Sequence, residues 1–286
     1  MVHFPLIQHF NNTISIHKGI SMLWIKSIIS AALHSQSTAS IPSLARRVLQ
    51  GPWLFGMVST VLQLRDSGAQ GRIMENYTSD NPHFQRVQSY NAFVTQSKSV
   101  VKTRRAQRYF RIIGLPDRDV SREKILLVGP RNVHELLMAW IFGFSWGNIT
   151  GIDLYSTNPK IKVMNMENMS FPDDEFDVVV MANTLAYASD TEKCLSEVVR
   201  VLKPGGVAAF GATFTKDSEW IGNMVSGADI AFILSRLPVE VYYYRSSDKV
   251  NALGQLQTVH DFGIVKKDPV GVCFDHIDIL RNKATV

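Results

Sequence analysis

Residues 123–136 read EKILLVGPRNVHEL, residues 148–154 NITGIDL, residues 166–190 MENMSFPDDEFDVVVMANTLAYASD, and residues 194–210 CLSEVVRVLKPGGVAAF. Short continuous apolar runs such as Ile125–Val128 and Val178–Met181 are the pattern of strands buried on both faces, as parallel strands are. Helical spacing separates them, and strand–helix alternation implies an α/β fold with a mainly parallel sheet flanked by helices.

Working outward, the spacing predicts strands over Lys124–Val128, Asn148–Leu154, Ile161–Met164, Asp177–Met181 and Val207–Ala212. Helices are expected over Val133–Phe142 and Thr191–Leu202, the second stopped by a turn at Lys203-Pro204-Gly205-Gly206. Later pieces read as a helix over Ala228–Arg236 and strands over Val239–Tyr244 and Val270–Phe274. Upstream of residue 120 the apolar spacing is helical throughout, with Asp80-Asn81-Pro82 as a capped start and Gly114-Leu115-Pro116-Asp117 as a stop. The 286 residues therefore divide into a helical N-terminal extension, 1–120, serving as a lid or oligomerisation surface, and an α/β domain, 121–286.

Open parallel sheets bind ligands beyond the carboxyl ends of their strands, where the strand order reverses. The loop after the first strand begins at Gly129, which permits a tight turn and close approach of backbone to ligand. The second strand ends at Asp153, about 20 residues further on, where a carboxylate can accept both hydroxyls of a ribose.

The order of these pieces, closing on Leu202-Lys203-Pro204-Gly205-Gly206, resembles the class I S-adenosylmethionine (SAM)-dependent methyltransferases of the small-molecule type over residues 123–212. The resemblance implies a Rossmann-like sheet, bound SAM, and methyl transfer to an oxygen, nitrogen or carbon nucleophile. It assigns cofactor contact to Gly129, Pro130, Arg131, Glu135, Asp153, Leu154, Asn165, Met166 and Asn183. Asn165 stands where the family places an acid that meets the adenine amino group, and its amide carbonyl can accept the same bond. Met166 takes the place of an apolar ring contact.

Two departures matter. The acid and Gly-x-Gly-x-Gly of the family's first loop become Leu127-Val128-Gly129-Pro130-Arg131-Asn132-Val133, so two glycines are gone. Arg131 can offset the tighter loop by pairing with the methionine carboxylate. Where relatives place a Glu and a His after the fourth strand, this chain has Ala186 and Tyr187, which leaves Tyr187 as the candidate catalytic side chain. The reading is a methyltransferase of small molecules or biosynthetic intermediates, working mainly by proximity and orientation. Tyr90, Asn91 and Tyr109 are further candidates for substrate contact, against core packing. The alternative is a catalytically inactive binding or scaffolding protein on the same fold.

A net charge of +5 is concentrated in Lys102, Arg104, Arg105, Arg108 and Arg111, with Lys266-Lys267 further on. A solvated helix face explains such clusters best. Contact with a peripheral membrane surface and a homodimer both stay open, whereas nucleic acid is disfavoured, since no aromatic-interleaved RNA motif accompanies the charge. No apolar run approaches the roughly 20 residues of a membrane span, and residues 1–33 read as neither signal peptide nor anchor. Two cysteines, Cys194 and Cys273, make no metal pair or disulfide framework, which fits a reducing cytoplasmic setting. No metal site is expected.

Overall fold

The computed structural model describes residues 75–96, 103–116, 118–130, 133–156, 158–215, 225–250 and 254–268. One sheet holds seven strands: β1 (Ile125–Val128), β2 (Ile149–Asp153), β3 (Ile161–Val163), β4 (Phe176–Met181), β5 (Leu202–Thr215), β6 (Val239–Val250) and β7 (Leu256–Lys266). Their order is β3-β2-β1-β4-β5-β7-β6. The pairs from β3 to β5 are parallel, while β7 runs antiparallel to both β5 and β6. The order reverses between β1 and β4, and that is where a ligand crevice opens in such sheets.

Five helices accompany the sheet among the described residues: α1 (Pro82–Gln96), α2 (Thr103–Ile113), α3 (Val133–Ile141), α4 (Thr191–Val201) and α5 (Gly227–Ser235). Asn81 caps α1, its Oδ1 accepting from the His83 amide at 2.9 Å, with Pro82 in the first helical position. Asp190 caps α4 through the Lys193 amide, and Ser226 and Asp229 form a reciprocal capping box on α5.

Alternate strand residues face opposite layers. Leu126, Val128, Val179, Met181, Phe210 and Phe262 join Cys194, Leu195 and Val198 of α4 and Ile230 and Leu234 of α5 in one core. The rings of Phe210 and Phe262 stack at 5.4 Å, and burying each such side chain contributes roughly 1.5–3 kcal/mol. On the other face lie α2 and α3, contributing Tyr109, Phe110, Ile112, Leu136 and Met138, all buried. There α2 comes unusually close to the sheet. A Cβ on Gly211 would overlap the Tyr109 hydroxyl, and one on Gly263 would press on Ile112.

The mainly parallel, helix-flanked sheet agrees with the expectation from sequence, with three differences. Lys203–Gly206 do not form a simple helix-to-strand turn: β5 begins at Leu202, opposite Phe176, and the next pair is Val178 with Val207. The intervening residues bulge out, Gly205 adopting φ +74°, while Lys203 Nζ returns to both oxygens of Asp177 at 2.8 Å. The second difference is length, since β6 continues to Val250, well past Tyr244. The third is β7 itself, which the apolar pattern conceals because His260 and Asp261 interrupt it. The strand expected over 270–274, the helical patterns upstream of residue 75, Cys273 and Arg131 lie outside the described residues.

Candidate active site

At the carboxyl end of β1, Gly129 adopts φ +71° and donates its amide to Ile152 O on β2 at 2.8 Å. A side chain there would be strained by that backbone and would also collide with Thr184. Thr184 in turn donates Oγ1 to Val128 O at 2.9 Å, so the loops after β1 and β4 are stitched together across the reversal point. Pro130 is buried, packing over Gly151 of β2. Glu135 lies half-buried in the first turn of α3.

Asp153 ends β2 and is 9% exposed. Its Oδ1 accepts the Leu154 amide at 2.7 Å, and its carbonyl accepts the Met164 amide at 2.9 Å. Leu154 O accepts from the Tyr77 amide and from Gln88 Nε2, each at 2.8 Å, which ties this loop to α1. After β3, Asn165 is buried and its Oδ1 accepts the Glu167 amide at 2.9 Å. The Asn165 side-chain oxygen keeps a second lone pair as an acceptor, and its NH2 end is a donor. Met166 is buried in the core beneath this loop.

Beyond β4 the chain turns at Asn183, which adopts φ +65°. Asparagine tolerates that left-handed region better than most residues. Its amide group lies 2.6 Å from the Tyr109 hydroxyl and 2.7 Å from Thr213 Oγ1. Tyr187 follows on a single 3-10 turn, half-buried, its ring 6.3 Å from that of Tyr90 and its carbonyl 3.0 Å from His83 Nε2 of α1. The ends of β1 to β4 thus bring together Gly129, Pro130, Asp153, Leu154, Asn165, Met166, Asn183 and Tyr187.

Several residues that the sequence reading left out complete the surroundings. Glu167 is 5% exposed and its carboxylate accepts from the Ser189 amide, from Ser189 Oγ at 2.6 Å and from the Asp190 amide at 3.3 Å. One buried acid thereby fastens the loop after β3 to the loop after β4. On the far side, Asp261 of β7 is fully buried, with Oδ1 at 2.9 Å from the Tyr109 hydroxyl and Oδ2 at 3.1 Å from Arg108 Nη1. That second contact is ionic without hydrogen-bond alignment, because Asp261 Oδ2 and Arg108 Nε are both buried without a hydrogen-bond partner. Arg108 is thus drawn inward rather than solvated on a helix face, and Lys266 likewise pairs with Asp174 at 2.7 Å. A tyrosine and arginine side by side on an amphipathic helix give no local sign of this, since the acid lies about 150 residues downstream in sequence. Cys194 is fully buried, and burial, aided by the Glu167, Asp190 and Glu197 carboxylates, pushes its thiol well above the ordinary range, so it is packing and not chemistry.

Comparison with known proteins agrees with this geometry. Residues 137–210 match the family model described as a methyltransferase domain. Over 70 residues the chain is 36% identical to the protein named "Probable methyltransferase ltbC" of Aspergillus luteorubrus, covering 20% of this chain and 25% of that one. Over 49 residues it is 45% identical to the ubiquinone/menaquinone biosynthesis C-methyltransferase UbiE of Marinomonas sp. (strain MWYL1), covering 17% and 20% respectively. The chain thus spans a quarter or less of the length of the curated relatives it matches. Among solved structures, phosphoethanolamine N-methyltransferase 2 of Haemonchus contortus, in complex with phosphomonomethylethanolamine and S-adenosylhomocysteine, superposes with a TM-score of 0.50 at 13% identity, covering 67% of this chain and 61% of that one. Among the described residues no helix is long and apolar enough to cross a membrane. Strand order and loop order are those of a Rossmann-like methyltransferase fold, and residues 137–210 carry the sequence likeness to a methyltransferase domain.

Proposed function

We propose that the crevice at the β1–β4 reversal binds SAM and that the protein transfers its methyl group to a small-molecule acceptor. The observation that carries this reading is the buried carboxylate of Asp153 at the end of β2, beside the left-handed Gly129 turn of β1. A carboxylate at the end of the second strand is placed to accept from both hydroxyls of a ribose diol. These groups suit SAM: a close backbone turn at Gly129, an acceptor pair at Asp153, and a donor with an apolar neighbour at Asn165 and Met166. When bound, SAM supplies an electrophilic methyl group attached to a positively charged sulfur. The chain's own contribution is to hold acceptor and cofactor in line and to exclude water. The Tyr187 hydroxyl orients the acceptor at the mouth. Helix α1 covers the acceptor side, a role supported by its His83–Tyr187 and Gln88–Leu154 contacts.

Titration calorimetry tests it. Wild-type protein should bind SAM or S-adenosylhomocysteine, and Asp153→Ala should weaken binding by about 10-fold or more, the loss of two charge-assisted hydrogen bonds. Folded protein that gives no heat at high micromolar ligand overturns the cofactor reading; unchanged affinity in Asp153→Ala overturns the ribose assignment alone.

A further inference from the structure

The loop after β4 is shaped partly by its own backbone bonds. Asn183 sits in a left-handed conformation, with its backbone amide donating to Met181 O at 2.9 Å in a very tight turn, and the Tyr187 amide donates to Thr184 O at 2.9 Å. Its side chain is held by other elements. The side-chain amide is gripped between Thr213 Oγ1 of β5 and the Tyr109 hydroxyl of α2, and that hydroxyl also touches Asp261 Oδ1 of β7. Tyr109 is completely buried, and Gly211 beneath it has no side chain because the phenol oxygen occupies that space.

Proton counting gives the arrangement a direction. A phenol has one proton and here faces two oxygens, Asn183 Oδ1 and Asp261 Oδ1. A half turn of the Asn183 amide group matches donors to acceptors among Tyr109, Asn183 and Thr213, while Asp261 Oδ2 keeps only its ionic contact to Arg108. Nδ2 then donates to Tyr109, Thr213 donates to Asn183 Oδ1, Tyr109 donates to the Asp261 carboxylate, and Arg108 balances that charge. The chain of bonds starts at a buried acid and ends on the backbone turn beside Thr184, which itself bonds the β1 loop.

We propose that Tyr109 is a positioning residue for the SAM site: with Asp261 orienting its hydroxyl, it holds the Asn183 turn, and with it the wall formed by residues 182–187. This rests on the SAM reading above and extends the site to α2, which lies outside the matched residues 137–210. Tyr109 acts through Asn183 and does not itself touch the cofactor.

Tyr109→Phe keeps the ring packed over Gly211 and removes only the hydroxyl. Two measurements on the full-length protein decide the matter: amide hydrogen exchange without ligand, and calorimetric affinity for S-adenosylhomocysteine. The expected result is faster exchange confined to residues 182–187, with β1 and β2 unchanged, together with about 10-fold weaker binding. Affinity within about twofold of wild type, whatever the loop does, overturns the proposal. So does weaker binding accompanied by loss of protection across the whole sheet, since the hydroxyl would then be merely structural. If wild-type protein itself binds no S-adenosylhomocysteine, the cofactor reading fails and this inference with it; failure in the variant alone leaves the cofactor reading standing.

Discussion

On the β1–β3 side of the crevice, each side chain stands at the end of its own strand and is held by near neighbours. Asp153 takes the amide of the next residue, Asn165 that of Glu167 two residues on, and the loop beyond it is clasped by the Glu197–Arg200 pair one helical turn apart. On the β4–β7 side, Tyr109, Asn183, Thr213 and Asp261 come from four elements, and the Tyr109–Asp261 bond spans 152 residues. On the first side each candidate side chain takes a bond from a near neighbour, and the loops are tied to α1, α4 and the β4 loop by separate contacts. The second is one buried network in which the loss of any member leaves the others unsatisfied in a low-dielectric interior.

The largest effect should come from Gly211→Val. The added side chain must displace the Tyr109 hydroxyl and approach Asp261 Oδ1, so it overpacks the α2–sheet contact and breaks the network together. About 3 kcal/mol of destabilisation in urea unfolding is expected. A cost below about 1 kcal/mol would mean that α2 yields freely and that the two sides do not differ in kind. Next comes Asp261→Ala, which strands the Arg108 charge and the Tyr109 hydroxyl. Breaking a fully buried ion pair costs about 3–5 kcal/mol. Here Arg108 keeps 27% exposure, so about 2 kcal/mol is the expected cost in the same assay. Combined with Tyr109→Phe, the two losses should fall well short of additive, because both remove the same bond. Additive losses would break the description of this side as one network.

The same contrast decides what a reader of the chain can see. Strands β1 and β4 stand out as apolar runs, and β2 and β3 by their place between turn residues, each ending in a loop whose candidate residues lie close in sequence. The places of Gly129 and Asp153 at strand ends follow from that locality, as do the approximate bounds of α4 and α5. Strand β7 does not stand out, because His260 and Asp261 look wrong for a buried strand until Asp261 meets Arg108 and Tyr109 and His260 meets Tyr244. Arg108 reads as one more solvent-facing cation in a basic run for the same reason. Glu167 lies in between: its position in the β3 loop is evident, but its partners at Ser189 and Asp190 become neighbours only when β3 and β4 flank the inner strands. Lys203–Gly206 look like a turn and form a bulge instead, since the register is set by the partner strand β4.

The smallest effect separates the sides by pH. Glu197 sits on α4 and holds the β3 loop, accepting from Arg200 Nε at 2.6 Å and the Met169 amide at 2.6 Å. Hydrogen bonding from Arg200 is the main cause that holds its carboxyl below the ordinary value of about 4.5, with the Met169 amide adding to it and partial burial opposing. A carboxyl depressed in the folded state contributes stability that is fully present above its unfolded value. The contribution is lost as pH falls through the lower folded value, when proton uptake by the native state catches up with the unfolded one. Wild-type protein should therefore melt above Glu197→Gln at pH 6, and the gap between the two should close as pH falls below about 4.5. A gap that stays constant from pH 6 to about pH 3 would show that the clasp works by shape and not by charge. If the gap closes and hydrogen exchange shows residues 165–171 loosening in acid before residues 182–187, the β3 side opens by itself, as a locally held loop should, while the network around Asp261 keeps its hold on the opposite wall.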